Sequence, residues 1–274
     1  MIKDVLGISP GITAVIGSGG KTTLIGKLAE EIRAHVIICT TTHIMRPDDM
    51  PVFAPEAPGL NGNSPAIANE MPEYEPALAA FLRDNTGHPV CVGIPDPENP
   101  AKLISYPIEE IERAAGENAC ILVEADGSKH LPLKAHNENE PVIPKNCARV
   151  ILVIGAHGFG KPIAEAVHRP EIFAKLVNTD VSSPVTPEVV AAVINAERSK
   201  FGSGRLQIFV NSKDTMRSEN RFASGNVQIS HSISGIRTSC DIPADTIKIA
   251  REIAALTGLE SYAGSAETGV VISC

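Results

Sequence analysis

Between residues 17 and 23 the sequence reads Gly17-Ser18-Gly19-Gly20-Lys21-Thr22-Thr23, three glycines followed by a lysine and two hydroxyls. These residue types at this spacing suit one chemistry, the binding of phosphate oxygens. Glycines let successive backbone N–H groups turn to one side of a loop and approach an anion closely. A β-branched run at 12–16 precedes the loop, and helical spacing from 21 to 33 follows it. The helix therefore aims its positive end at the same point. Lys21 can then reach the β- and γ-phosphates of a nucleotide, and the Thr22 hydroxyl can hold Mg²⁺. The bland alternative is a glycine turn that starts a helix and binds nothing, but packing gives no reason for Lys-Thr-Thr to follow it.

The commoner form of such a loop has a further glycine five residues before Gly20, where this chain has Val15. The shorter Gly17-x-x-Gly20-Lys21-Thr22 spacing resembles the phosphate loops of Mur-type ligases and is compatible with nucleotide. The next apolar run ends in Thr40-Thr41-Thr42-His43. Ligands of doubly wound sheets gather outside the carboxyl ends of strands. Thr41 and Thr42 are thus candidates for touching a substrate, unless threonine only continues the strand. A third run ends in Glu124-Ala125-Asp126-Gly127. Carboxylates there suit a Mg²⁺ shell or the orientation of a water, and alternation puts both on one side. A solvated strand end is the alternative. Lys21, Glu124 and Asp126 are accordingly the catalytic candidates, and Thr22, Glu124 and Asp126 the metal candidates.

Further basic and polar residues follow at other strand ends. Lys129 and Lys134 could bind an anionic substrate, or be surface lysines. After the run 150–154 comes the glycine-containing loop 155–162, and then His168-Arg169-Pro170-Glu171. His168 and Arg169 could hold a substrate or move a proton; equally, they could make local backbone and Arg–Glu contacts. Asn211-Ser212-Lys213-Asp214 ends the run 206–210. Asn211 and Asp214 keep the spacing of a base-reading Asn-Lys-x-Asp segment with the lysine one place late, so they are candidates for reading the base, or an ordinary turn.

The elements that must position these residues read as strand, helix, strand over 12–40, a βαβ unit. The α/β rhythm resumes at 108. A short helix is expected at 108–115, strands at 119–123, 150–154 and 206–210, and helical spacing over 164–177 broken by Pro170. Thr186-Pro187-Glu188 carries a helix-start signature. A further strand is expected at 226–230, a long helix at 242–256 and a last strand at 270–272. The fold class is a doubly wound α/β domain, 1–274, with a mainly parallel sheet of the P-loop NTPase type. Between 43 and 107 the texture changes. Twelve of the 21 prolines lie there, which argues against long helices and for a loop-rich excursion with a hairpin pairing 89–93 with 102–106. Within it, 55–71 is the expected mobile segment and a candidate lid.

Composition bounds the function. The net charge is −8 over 274 residues, and aromatics are 4% with no Trp. A general nucleic-acid footprint and stacking platforms are therefore not expected. No leader and no apolar run of membrane-spanning length is read, so the expected location is the cytoplasm. Six cysteines without a CxxC pair read as reduced core residues.

Four segments occur together in order: the 17–23 loop, the Thr40–Thr42 run, Glu124-Ala125-Asp126-Gly127-Ser128-Lys129-His130-Leu131-Pro132-Leu133-Lys134, and His168-Arg169-Pro170-Glu171. Together they resemble the YqeC family over about residues 12–214, most specifically at 124–134. That family is described as selenium cofactor biosynthesis proteins or accessory proteins of selenium-dependent molybdenum hydroxylases. The resemblance implies a maturation role, with a molybdenum hydroxylase or its cofactor-insertion machinery as partner. It leaves the reaction open. The expected function is a nucleotide-binding protein taking ATP or GTP with Mg²⁺, acting as an NTPase or in phosphoryl transfer. A Mur-like ligase, a small-molecule kinase with a second anionic pocket, and a non-catalytic nucleotide-gated chaperone are the alternatives.

Overall fold

The computed structural model describes residues 1–32, 35–55, 74–212, 226–233 and 236–274, and between 226 and 241 it describes the backbone course alone. Apart from Pro55, the candidate lid at 55–71 lies outside the described residues, as does Asp214.

The main sheet has nine strands. In chain order they are β1 (Gly11–Gly17), β2 (Val36–Thr40), β3 (Val52–Phe53), β4 (Val90–Val92), β5 (Cys120–Glu124), β6 (Cys147–Gly155), β7 (Arg205–Asn211), β8 (Glu260–Ser265) and β9 (Val270–Ser273). Their lateral order is β3-β4-β2-β5-β1-β6-β7-β8-β9. Every neighbouring pair is parallel except β8 with β9. The longer helices are α1 (Lys21–Ile32), α2 (Tyr74–Asp84), α3 (Ile108–Ala115), α4 (Pro170–Leu176), α5 (Pro187–Glu197) and α6 (Ala244–Thr257).

The central strands are buried on both faces, which is why they read as continuous apolar runs rather than alternating ones. Ile12, Ala14 and Ile16 of β1 pack with residues of α2 to α6, among them Leu78, Ile111, Phe173, Val193 and Ile247. Val15, between them in sequence, faces the other way. It packs with Leu24, Ile25 and Leu28 of α1 and with Ile2 and Leu6 of the N-terminal turn. The chain is thus α/β in three layers, with β1 near the middle of the sheet. Its loop leaves the carboxyl edge between the ends of β5 and β6.

Several expectations need correction. The proline-rich interval contains an 11-residue helix, α2, with Pro76 in its first turn. A proline is tolerated there because the first N–H groups of a helix have no intrahelical acceptor. The hairpin is displaced: Ile94 and Pro95 pair with Ile104 and Leu103, while Val90–Val92 joins the main sheet in parallel. All three residues of β4 are buried, and that unalternating pattern belongs to a covered strand. Strand β8 has no sequence signal, because Glu-Ser-Tyr-Ala-Gly-Ser is poor in β-branched residues. The strand expected at 226–230 is one arm of an antiparallel pair, Asn226–Ile233 with Ile236–Pro243. Thr186 does cap α5, its hydroxyl accepting from the N–H of Val189 at 3.4 Å. Cys39, Cys91, Cys120, Cys147 and Cys274 are free thiols, and burial pushes the Cys91 thiol up to about 12.

Candidate functional site

The loop after β1 is pinned from several directions. The Gly17 N–H donates to Asp126 Oδ2 at 2.8 Å, and the Ser18 N–H to the carbonyl of Val153 at 2.9 Å. The Ser18 hydroxyl donates to the carbonyl of Leu131. Gly19 has φ +85°, and a side chain there would bring its Cβ within 2.6 Å of Gly155 Cα. Glycine is thus required both by conformation and by the close approach of the β6 end. Asn211, at the end of β7, donates from Nδ2 to the carbonyl of Gly19 at 2.7 Å. Its Oδ1 accepts from the N–H of Ala266 at 2.8 Å. Asn211 thus braces the loop with its oxygen and one amide N–H, which leaves the second Nδ2 N–H without an acceptor among the described residues.

After these braces, the N–H groups of Gly19, Gly20, Lys21, Thr22 and Thr23 have no acceptor among the described residues. They are five consecutive donors at the start of α1, with the helix dipole behind them. Such a cradle of donors can hold an anion.

Lys21 lies against this cradle and is only 3% exposed. Its Nζ donates to the carbonyl of Gly17 at 2.9 Å and pairs with Asp126 Oδ1 at 3.1 Å and Glu124 Oε1 at 3.7 Å. The exposed Thr22 donates from its hydroxyl to Glu124 Oε2 at 3.0 Å. The two acids, two residues apart at the end of β5, reach the same ammonium but differ in surroundings. Burial pushes the Glu124 carboxyl above its ordinary range, against the opposing pull of Lys21 and Thr22. Burial acts on Asp126 in the same direction. There it is outweighed by the His136 hydrogen bond and the charges of Lys21 and Lys134, which hold the carboxyl at about 2. Asp126 is fully enclosed; its Oδ2 is hydrogen-bonded, whereas Oδ1 has the Lys21 ammonium at 3.1 Å but no hydrogen-bond partner among the described residues.

Sequence reasoning missed the group behind Asp126. His136 Nε2 lies 2.8 Å from Asp126 Oδ2, and its Nδ1 lies 2.8 Å from Glu197 Oε2. Glu197 Oε1 also accepts the His136 N–H at 2.8 Å. Lys200 Nζ donates to the carbonyl of His136 and pairs with Glu197. Both His136 and Glu197 are buried. One signal was readable. Val190, Val193, Ile194 and Glu197 fall at helical spacing on one face of α5, so a carboxylate occupied a core position and needed a buried partner.

The remaining candidates lie around the neighbouring strand ends. Thr40 donates to the carbonyl of Glu124 and receives the Thr42 N–H, while the Thr41 hydroxyl donates to the carbonyl of Val142. This run therefore fixes the backbone beside Glu124. Leu133–Lys134 pairs with Val167–His168 in a short parallel ladder, which puts His168 in register with Lys134. The buried Lys134 donates to the carbonyl of Gly127 at 2.6 Å and to Glu140 Oε2 at 2.7 Å, and lies 3.3 Å from Asp126 Oδ2. Arg169 donates from Nη1 to the same Glu140 oxygen at 2.7 Å. Lys129 is exposed. Thus the structure brings together Lys21, Thr22, Glu124, Asp126 and Asn211 at the loop, and Lys134, His168 and Arg169 beside it.

Among the described residues no three His, Cys, Asp or Glu side chains form a metal cluster, and no helix is long and apolar enough to cross a membrane.

The family model described as "YqeC protein" matches residues 13–171 of this chain. A relative from Escherichia coli (strain K12), named "Uncharacterized protein YqeC", is 30% identical over 198 residues, which cover 70% of each chain. No solved structure matches.

Proposed function

Because this chain belongs to the YqeC family, whose matched region spans both the loop and the acids, we propose that it is a Mg²⁺-dependent P-loop protein that binds ATP or GTP at residues 17–23 and hydrolyses it or transfers its terminal phosphoryl group. One observation carries this reading: five unaccepted N–H groups run in sequence beside a desolvated lysine and a hydroxyl–carboxylate pair. A row of backbone donors with the helix dipole behind it favours an anion, and a polyphosphate has oxygens enough for all of them.

Thr22 and Glu124 fit a hard cation, since both present oxygen and Thr22 is open to solvent. Held there, Mg²⁺ would neutralise charge on the phosphate oxygens. The N–H groups of 19–23 bind and orient the phosphates. Lys21 acts at low local dielectric, where its charge is worth more than in water. In this reading Glu124 would orient the attacking hydroxyl and take its proton. As that oxygen bonds to the terminal phosphorus, the bond to the leaving phosphate oxygen breaks, and the proton ends on Glu124. Asp126 anchors the loop in this reading, rather than ligating metal. Following the family resemblance, the activity would serve the maturation of selenium-dependent molybdenum hydroxylases.

The test is a titration of ATP, GTP and their diphosphates with and without Mg²⁺, followed by phosphate release with and without a partner hydroxylase. Saturable Mg²⁺-dependent binding, lost in Lys21→Ala, supports the reading. Absence of binding by the wild-type protein, or undiminished affinity in folded Lys21→Ala, overturns it.

A further inference from the structure

Beside the loop lies a set of donors that neither the fold nor the nucleotide accounts for. Arg169 adopts φ +65° and uses Nη1 for Glu140 Oε2 and the carbonyl of Ala135. Its Nη2 and Nε have no acceptor among the described residues. The next side chain back, His168, has a buried Nδ1 with no hydrogen-bond partner. A buried polar atom left unpaired is costly and needs an explanation. Lys129, at φ +48°, is exposed and makes no ion pair among the described residues.

Charge points the same way. Lys134 pairs with both Asp126 and Glu140, and Arg169 shares Glu140. Lys129 adds a cation that no acid among the described residues pairs with. After burial, these three cations are what hold the His168 ring below its ordinary proton affinity. The unpartnered His168 Nδ1, the free Arg169 edge and the unpaired Lys129 ammonium are groups that an anion could engage. The segment carrying Lys129 and Lys134 also packs on the phosphate loop. The Ser18 hydroxyl donates to the carbonyl of Leu131, and the Gly155 N–H to that of Pro132 at 2.8 Å.

We propose that Arg169, His168 and Lys129, backed by the buried Lys134, form a second anion subsite that binds the phosphate group of a small phosphorylated acceptor next to the nucleotide. The role as acceptor site rests on the phosphate-loop reading above; the anion site itself does not. The free guanidinium edge offers the two-pronged contact that phosphate takes best. The dianion gives His168 Nδ1 a partner once that ring is protonated.

Orthophosphate is the probe, followed by the ring proton resonance of His168, which is identified by its loss in His168→Gln. Wild type, Lys21→Ala, Lys129→Asn and Arg169→Lys are compared, with nucleotide affinity measured on the same samples. Saturable movement of the His168 resonance is expected in wild type with nucleotide bound, and equally in Lys21→Ala. Binding should be weaker by about fivefold in Lys129→Asn and by about tenfold in Arg169→Lys, since the latter keeps the charge and loses the fork. The proposal is overturned by an unmoved resonance, by movement that disappears in Lys21→Ala, or by wild-type affinity in both Lys129→Asn and Arg169→Lys. Failure of the phosphate-loop reading appears separately, as wild-type protein that binds orthophosphate but no nucleotide.

Discussion

A single ammonium holds the candidate site together at the residue scale. Lys21 is buried against Asp126 and Glu124, so its removal does more than take charge away from a ligand. Lys21→Ala is expected to weaken nucleotide binding by at least about 100-fold and to destabilise the fold by about 3 kcal/mol, because it leaves buried acids undercompensated. Nucleotide titration together with urea unfolding checks both. His136 makes the second residue-scale prediction. Burial lowers its proton affinity, but hydrogen bonds to Asp126 and Glu197 outweigh burial, so its folded value lies above the ordinary 6.5. A raised histidine contributes stability that is complete below 6.5 and is lost as pH rises through the folded value. Asp126, at about 2 against an ordinary 3.8, and Glu197, below its ordinary 4.5, contribute above their ordinary values and lose it as pH falls through the folded ones. The stability difference between wild type and His136→Gln should therefore shrink as pH climbs above 6.5. A difference that stays constant across that range would contradict the charged pairing.

Elements far apart in sequence meet at the loop, and Asn211 shows how. It comes from the end of β7 and ties the carbonyl of Gly19 to the N–H of Ala266, just beyond β8. Asn211→Ala frees both groups. It is expected to lower stability by about 1–3 kcal/mol and to weaken nucleotide binding, because the cradle loses its brace. Asn211→Asp keeps the acceptor for Ala266 but sets a carboxylate against the Gly19 carbonyl, so it should bind nucleotide less well than Asn211→Ala. Calorimetric titration of the two variants separates bracing from base reading: a variant that exchanges ATP preference for GTP preference would support the base-reading role.

For the molecule as a whole, a ligand that binds only the folded state raises stability by mass action. At about 100 times the dissociation constant the gain is roughly 2.7 kcal/mol. For a chain of this size that is a rise of about 5–10 °C in Tm. Thermal unfolding should show this shift with Mg²⁺ and nucleotide, lose it on addition of a chelator, and lack it in Lys21→Ala. The chain carries −8 overall yet gathers Lys129, Lys134 and Arg169 at one edge of the sheet. Binding of anions should weaken with ionic strength less steeply at buried Lys21 than at exposed Lys129, since buried charges are screened less.

The glycine loop, the acids after β5 and the strand–helix alternation could be read in the sequence because each is local. A glycine run between a strand and a helix has its meaning within about ten residues, and a strand buried on both faces shows itself as an unbroken apolar run. The division of labour between Glu124 and Asp126 could not be read that way. They are two residues apart with similar chemistry, and only the distant His136, Lys134 and Gly17 N–H hold Asp126 low while burial raises Glu124. The same holds for Asn211, whose spacing is local but whose bracing of Gly19 and Ala266 is made only across the sheet. It holds for α2 as well, where local proline density argued against a helix that Leu78 stabilises by packing into the core. Hydrogen bonds and burial act through space, so partners separated by sixty or a hundred residues are assigned only when the sheet brings its strand ends together.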